Sequence, residues 1–200
     1  MYRLMQPQEL PAVQALWQQQ GQVSAAFARQ ALEHFAGLEN VYVTVENDQL
    51  TAMALAVPVS LKGRPGSYLY GLCGEGSLIR AGLLDYLCAQ QKLRGAGFTV
   101  AVPQTPAEAE LLREKGFERA FALRCLPRSV SRNLWAQAEF DTVTAKKLCE
   151  LRARFWPDTV QLPPERMAVV LGDLYARGAT LVSSDQGYGV YFRSEDTLYF

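Results

Sequence analysis

Two closely spaced glycines, Gly74 and Gly76, mark the segment of this sequence with the clearest capacity for chemistry. They follow an aromatic and apolar stretch over 67–73, which predicts a strand, and precede apolar residues at helical spacing over 78–93. A glycine turn between a strand and a helix presents backbone N–H groups beside the positive end of the helix dipole, which is a common way to bind phosphate. The same pattern is equally typical of a tight turn without a ligand, because motif glycines alone are weak evidence.

Other reactive side chains form no cluster in the sequence. His34 is the single histidine, so a catalytic triad would have to use it, but its place in a predicted helix is equally typical of a surface side chain. The cysteines are far apart and form no C-x-x-C pair. We therefore expect free thiols and no metal site. The cysteines are Cys73, Cys88, Cys125 and Cys149.

The composition is typical of a globular protein. The chain has 200 residues, of which 49% are hydrophobic and 20% are charged, and its 20 basic and 20 acidic side chains cancel. A neutral chain has no overall positive field to hold nucleic acid or an anionic membrane surface. The sequence has no apolar run long enough to span a bilayer and no signal-peptide pattern at its start. We expect a cytoplasmic protein without nucleic-acid or membrane partners.

The predicted elements occur twice in the same order, two helices followed by strands, which indicates an internal repeat. In the first copy the strands are predicted over 41–45, 50–59 and 67–73. A helix over 78–93, a strand over 98–102, a helix over 106–115 and a strand over 117–126 follow. In the second copy we predict helices over 144–155 and 164–177 and strands over 179–183, 189–193 and 197–200. The repeat predicts a domain at 1–126, a connector at 127–143 and a partial second copy at 144–200.

Three segments carry a resemblance to a known family. They are the opening strand and helix over 2–17, the strand, glycines and helix over 68–87, and the segment 102–117, which ends in Lys115-Gly116-Phe117. In this order they resemble elements of the GCN5-related N-acetyltransferase family, whose fold is the acyl-CoA N-acyltransferase fold. The resemblance covers residues 1–126. The second copy is similar to bacterial members that carry an acetyltransferase domain followed by a degenerate second one.

The resemblance implies a fold, a cofactor and a reaction. The fold is α+β, with a mixed, mostly antiparallel sheet flanked by helices and followed by a partial second copy. The cofactor is acetyl-CoA, and the reaction transfers its acetyl group to a small amine. The implied cofactor-binding residues are Leu72 and Cys73 of the strand and Gly74, Gly76 and Ser77 of the turn. The resemblance identifies no catalytic residue and no oligomeric state.

The sequence departs from the family pattern at the turn and at the later helix. The turn is about four residues shorter than the family loop, and only Gly76 matches a family glycine. Leu78 and Arg80 stand where other glycines are expected, and a side chain in a left-handed conformation there costs about 1 kcal/mol. Glu75 brings a negative charge to a position where arginine is common. Leu112 replaces a tyrosine that could donate a proton.

These departures leave alternatives to an active enzyme. One is a catalytically inactive protein that kept the acetyltransferase fold as a binding or interaction module. Another is a truncated piece of a longer protein with two copies, in which the second half completes the site.

Overall fold

The computed structural model describes residues 1–21, 23–122, 143–184, 187–194 and 197–199. The strands of the first half are β1 (Tyr2–Leu4), β2 (Val41–Glu46), β3 (Gln49–Leu61), β4 (Arg64–Gly74) and β5 (Thr99–Ala101). Its helices are α1 (Leu10–Gly21), α2 (Ala25–Gln30), which continues into a π-helical segment (Ala31–Ala36), α3 (Ser77–Leu93) and α4 (Pro106–Glu114). The second half contains α5 (Ala145–Phe155), α6 (Pro164–Ala176), β6 (Thr180–Ser184), β7 (Gly187–Ser194) and β8 (Thr197–Tyr199).

Two tight turns set the register of the central strands. Asn47 and Asp48 both have positive φ angles, 49° and 61°, as do Lys62 and Gly63, at 50° and 75°. Two-residue hairpins favour this conformation because its twist matches that of the flanking strands. β2 pairs antiparallel with β3, and β3 pairs antiparallel with β4, so the strands predicted over 41–45 and 50–59 form a hairpin. The second turn is shorter than predicted, and β4 therefore begins already at Arg64.

Helices cover both faces of the central strands. Along β2, Val41 and Val43 join a core formed with α1 and α2, whereas Tyr42 between them joins a second core formed with α3. Residues 52–57 of β3 are fully buried because they have helices on both sides. The strands of the first half are ordered β1-β2-β3-β4-β5, and the pairing of β4 with β5 is parallel whereas the others are antiparallel. The mixed, mostly antiparallel sheet flanked by helices is thus confirmed.

The predicted strand over 117–126 is wrong in its described part, which has no regular structure. The N–H of Gly116 donates to the carbonyl of Arg113, and the N–H of Phe117 donates to the carbonyl of Leu112, both at 3.0 Å. This pair of bonds closes the C-terminus of α4 in a Schellman motif. Phe117 also packs against the core that contains Leu112, so both its backbone and its side chain stabilise the end of α4. The remainder of the segment lies outside the described residues.

The second half repeats the element order of the first, which confirms the partial second copy. α5 and α6 are followed by the antiparallel strands β6, β7 and β8. The helix bounds lie within one residue of those predicted. Most of the predicted connector at 127–143 lies outside the described residues, so the domain boundaries stay predictions.

The two halves are in contact along β3 and the π-helical segment. Ser60 of β3 and Gln161 exchange backbone hydrogen bonds of 3.0 and 2.8 Å. Val169 of α6 belongs to the same buried core as α1 and α2. The guanidinium of Arg166 donates to the carbonyls of Phe35 and Ala36 at the end of the π-helical segment. A cavity of about 520 Å³ lies between this segment and α6.

In the described residues, no helix has both the length and the apolar composition that a bilayer crossing requires.

Arg166→Met should destabilise the chain, because the substitution keeps an apolar stem but removes the donor to two carbonyls of the first half. We expect the free energy of unfolding to fall by about 1–3 kcal/mol, the usual cost of losing a charged hydrogen-bond donor. Urea denaturation measures this change. The control is Arg154→Met on the exposed face of α5. Equal midpoints for the two variants would contradict the interface described above.

Candidate functional site

The sheet opens between β4 and β5. Their parallel pairing runs only from Ser67↔Thr99 to Leu69↔Ala101, whereas β4 continues to Gly74. Among the described residues, no strand pairs with β4 on this side beyond Leu69. Residues 70–74 therefore present an edge of backbone N–H and carbonyl groups to any extended group that enters the opening. We call residues 70–74 the free edge of β4.

Local sequence explains why β5 ends so early. Pro103 has no backbone N–H and cannot continue the ladder. The next residues cap α4: the side chain of Thr105 accepts from the N–H of Glu108 at 3.2 Å, and the Glu108 carboxylate accepts from the N–H of Gln104 at 2.8 Å. At its other end β5 is fixed to β4 by a 3.0 Å hydrogen bond from the N–H of Ser67 to the carbonyl of residue 98. The two strands therefore start together and then separate.

A β-bulge lies in the free edge. Tyr70 pairs with Leu55 of β3 and Cys73 with Met53, so β4 has one more residue than β3 between these pairs. Gly71 within the bulge has a φ of 62°. A Cβ there would approach Cζ2 of Trp17 to 2.7 Å, so both the backbone conformation and the packing on α1 require glycine.

The two glycines of the turn have different roles. A Cβ on Gly74 would lie 2.3 Å from the Cβ of Ala52, so this glycine allows β4 to pack closely on β3. Gly76 has a φ of 78°, and an added Cβ would meet no atom within 4 Å. Glycine at 76 is therefore favoured by the backbone conformation alone, and the space beside it is open. Of the two, only Gly76 borders space that a ligand could fill.

α3 begins directly after this turn with no side-chain cap. Gly76 is the N-cap residue, and Ser77, the first residue of the helix, is exposed. The first N–H groups of an α-helix have no partner within the helix, and they carry the positive end of its dipole. Glu75 is exposed beside them, but its own N–H donates to the carbonyl of Thr51 at 2.9 Å and is already used. Arg80 is the fourth residue of the helix, and its Nε is buried without a hydrogen-bond partner.

Leu72 and Cys73 turn their side chains into opposite cores. Leu72 packs on the α3 side of the sheet, and Cys73 is buried on the α1 side. Burial raises the pKa of the Cys73 thiol to about 12, so it is protonated and unreactive at neutral pH. These residues can therefore offer a ligand only their backbone groups. None of the described cysteines, which also include Cys88 and Cys149, forms a disulfide, and Cys125 lies outside the described residues.

Aromatic side chains cover the α1 face of β4 beside the opening. Tyr70 makes edge-to-face contacts with Trp17, Phe27 and Phe35 at centroid distances of 5.9, 6.4 and 5.6 Å, and it lies 5.6 Å from the ring of Tyr68. Tyr68 and Tyr70 are half-buried. Burial raises the pKa of Tyr70, and it raises the pKa of Tyr68 to about 12. Both hydroxyls are therefore neutral at physiological pH.

One expectation about the turn is wrong. Leu78 and Arg80 do not occupy left-handed positions, because both lie in the first turn of α3. The described non-glycine residues with positive φ angles are Asn47, Asp48 and Lys62. The predicted short turn explains the difference: β4 ends at residue 74 and α3 begins at residue 77, so the helix has already started where the family loop would continue.

Similarity to solved structures extends over the whole chain. A GCN5-related N-acetyltransferase from Anabaena variabilis is 13% identical, with a TM-score of 0.74, and the match covers 99% of this chain and 56% of that one. Eis1 from Mycobacterium abscessus is 16% identical, with a TM-score of 0.69 and coverage of 98% and 54%. A predicted acetyltransferase with acetyl-CoA from Clostridium acetobutylicum is 14% identical, with a TM-score of 0.52 and coverage of 64% and 95%. The sequence matches no protein-family model and no curated protein.

The chain has the fold of the GCN5-related acetyltransferases. Because the matches to the first two structures cover nearly the whole chain, they include the second half as well as the first. The chain spans little more than half of the length of those two proteins.

The free edge and the turn agree with the acetyltransferase fold. The chain has no proton donor at position 112, however. Leu112, which the resemblance places at the position of a family tyrosine, is 4% exposed and belongs to the core under α3. His34 is 67% exposed on the π-helical segment. Arg80 and the α6 residues near Tyr70 were not singled out as site residues from the sequence. For α6, the only local signal is a charged i,i+4 pair, Asp173 and Arg177, which is also typical of a solvated helix face.

The native Cys73 thiol should resist alkylation. With a pKa near 12 instead of 9, its thiolate fraction at pH 8.5 is smaller by roughly a thousandfold than that of an unperturbed thiol. Iodoacetamide labelling followed by peptide mass spectrometry should find Cys73 unmodified in the native chain and fully modified after denaturation. Equal labelling rates in the two states would contradict the burial and the raised pKa of this thiol.

Proposed function

We propose that the chain binds acetyl-CoA in the opening between β4 and β5 and transfers the acetyl group to a small amine. The single observation that carries this proposal is the free edge of β4, which leads directly into the uncapped N-terminus of α3. The pantetheine arm is an extended chain with amide groups, so it can pair with the free edge as an added strand. The pyrophosphate would then meet the N–H groups at the start of α3.

The residues of this chain have distinct tasks in the proposal. The backbone of Leu72 and Cys73 pairs with the pantetheine amides. Gly74 keeps β4 close to β3, and Gly76 and Ser77 begin the anion-binding end of α3. Arg80 adds a positive charge within the first turn of that helix, whereas Glu75 opposes an anion.

The reaction needs an unprotonated amine near the thioester. Acetyl-CoA supplies an activated acyl group: the amine nitrogen bonds to the carbonyl carbon, the C–S bond breaks, the thiolate accepts one proton, and the amine gives up one. The half-buried face of Tyr68 and Tyr70 borders the end of the opening where the acetyl group would lie. We assign no general base and no general acid to this chain.

A second candidate is binding of the coenzyme without transfer. It is favoured by Leu112, because a buried leucine cannot protonate a thiolate. The charge of Glu75 opposes coenzyme binding and therefore favours neither of these two candidates. A third candidate is that activity requires the rest of a longer protein, since the similar two-domain structures are nearly twice as long as this chain. A cytoplasmic location stays a prediction.

Titration of the purified chain with acetyl-CoA by calorimetry tests the proposal. We expect a dissociation constant in roughly the micromolar range for the wild type and at least tenfold weaker binding for Gly76→Asp, since a carboxylate at this position repels the pyrophosphate. Gly95→Asp is a matched control at the other end of α3, because Gly95 also has a positive φ, 88°, and open space around an added Cβ.

The result separates the candidates. Absence of binding at millimolar acetyl-CoA, or equal weakening by the two substitutions, would overturn the proposed site. Binding at the site, with no acetylated product in a mass-spectrometric screen of primary amines, would favour the coenzyme-binding module.

A further inference from the structure

One face of α6 is directed at the first half of the chain. Arg166, Val169, Val170, Asp173 and Arg177 follow the spacing i, i+3, i+4, i+7 and i+11, which places them along one side of a helix. Arg166 donates to carbonyls of the π-helical segment, and both valines pack on the core that contains α1 and α2. The remaining members of this face, Asp173 and Arg177, therefore also lie on the side of the first half.

Arg177 pairs with Asp173 and lies over an aromatic ring of the first half, that of Phe27 in α2. The Nε of Arg177 lies 2.9 Å from an oxygen of Asp173, and its Cζ lies 6.0 Å from the centre of the Phe27 ring. Phe27 in turn contacts Tyr70 edge to face at 6.4 Å. The Asp173 side chain is 27% exposed, whereas that of Arg177 is 63% exposed. The Asp173 carboxylate is thus mostly shielded from solvent, and the exposed guanidinium that pairs with it lies over an aromatic ring.

The electrostatics of Tyr70 agree with this arrangement. Burial is the main reason for the raised pKa of Tyr70, the charge of Asp173 raises it further, and the charge of Arg177 opposes the increase. Tyr70 is also the first residue of the free edge, directly beyond the last β4–β5 pair. The charges of Asp173 and Arg177 therefore influence the side chain of the residue at which the opening begins.

We propose that Asp173 of the second half, together with Phe27 and Tyr70 of the first half, recognises the ammonium group of an organic amine in the place that the Arg177 guanidinium fills. This inference rests on the proposed function and names the site that recognises its acceptor as a cation, which must lose one proton before it attacks the thioester. A cation gains both from a partly shielded carboxylate and from aromatic faces. Arg177 satisfies the same groups when no acceptor is present, and its exposed stem allows it to leave.

Substitutions at the two charged residues should have opposite effects. Asp173→Asn removes the attraction for the ammonium, whereas Arg177→Gln removes the competing cation and keeps much of the stem over Phe27. If the ion pair had only a structural role, the two substitutions would not change the affinity for the cation in opposite directions. Glu150→Gln and Arg154→Gln are matched controls, because both remove a charge from exposed positions of α5, and Arg154 also lies over an aromatic ring, that of Phe155, at 5.1 Å.

The probes are 2-phenylethylamine, a cation at neutral pH, and 2-phenylethanol, its neutral isostere. Calorimetry should show that the wild type prefers the cation. Asp173→Asn should weaken binding of the cation by about tenfold, the effect of one charged hydrogen bond, and leave the alcohol unchanged. Arg177→Gln should tighten binding of the cation severalfold, and the controls should match the wild type.

Several outcomes would overturn the inference. They are equal affinities of the wild type for the two probes, no binding of either, an unchanged affinity in Asp173→Asn, or weaker binding of the cation in Arg177→Gln. Acetyl-CoA titrations of the same variants separate the two proposals. If the coenzyme site is wrong, acetyl-CoA does not bind as proposed. If only the acceptor site is wrong, acetyl-CoA binds as proposed and only the amine titrations depart from expectation. Thermal unfolding of each variant verifies that it is folded.

Discussion

The early end of the parallel pairing between β4 and β5 is the constraint on which the candidate site depends. The pairing stops at Leu69 and Ala101, since Pro103 has no N–H and Thr105 starts the cap of α4. β4 cannot follow β5 away from the sheet, because β3 pairs with it as far as Gly74. A strand edge with unused polar groups therefore remains next to the first turn of α3. The edge, the turn and the helix N-terminus form one continuous surface of donors and acceptors.

The surrounding packing keeps this surface open. Gly71 and Gly74 permit contacts with Trp17 and Ala52 that any side chain would prevent, and so they fix the course of β4. Cys73 contributes its side chain to the core and keeps its thiol protonated. The second half lies close to the aromatic cluster, since α6 packs on the core that contains α1 and α2, and the Arg177 guanidinium lies over the Phe27 ring. In our proposal, recognition of the acceptor amine therefore involves both copies of the repeat.

Local patterns predicted most of the elements, whereas contacts distant in sequence determined the site. The hairpin at Asn47-Asp48 and the helix ends at Gly116 and Gly178 follow from residues that tolerate positive φ angles, and such signals are legible in a sequence. The strand predicted over 117–126 failed because Phe117 closes α4, a role that its β propensity does not reveal. The opening beside Tyr70 depends on where pairing stops, and the approach of Asp173 depends on packing between the halves. Local sequence at Pro103 and Thr105 explains the early end of β5, but it reveals neither which strand is left unpaired nor how α6 packs on the first half.

Hydrogen exchange with and without acetyl-CoA tests the free edge of β4 most directly. If the pantetheine arm pairs with this edge and the pyrophosphate meets α3, the amides of residues 70–79 should become protected when acetyl-CoA binds, and those of residues 93–98 at the other end of α3 should not change. Binding accompanied by protection elsewhere in the chain, with unchanged exchange over residues 70–79, would contradict the account.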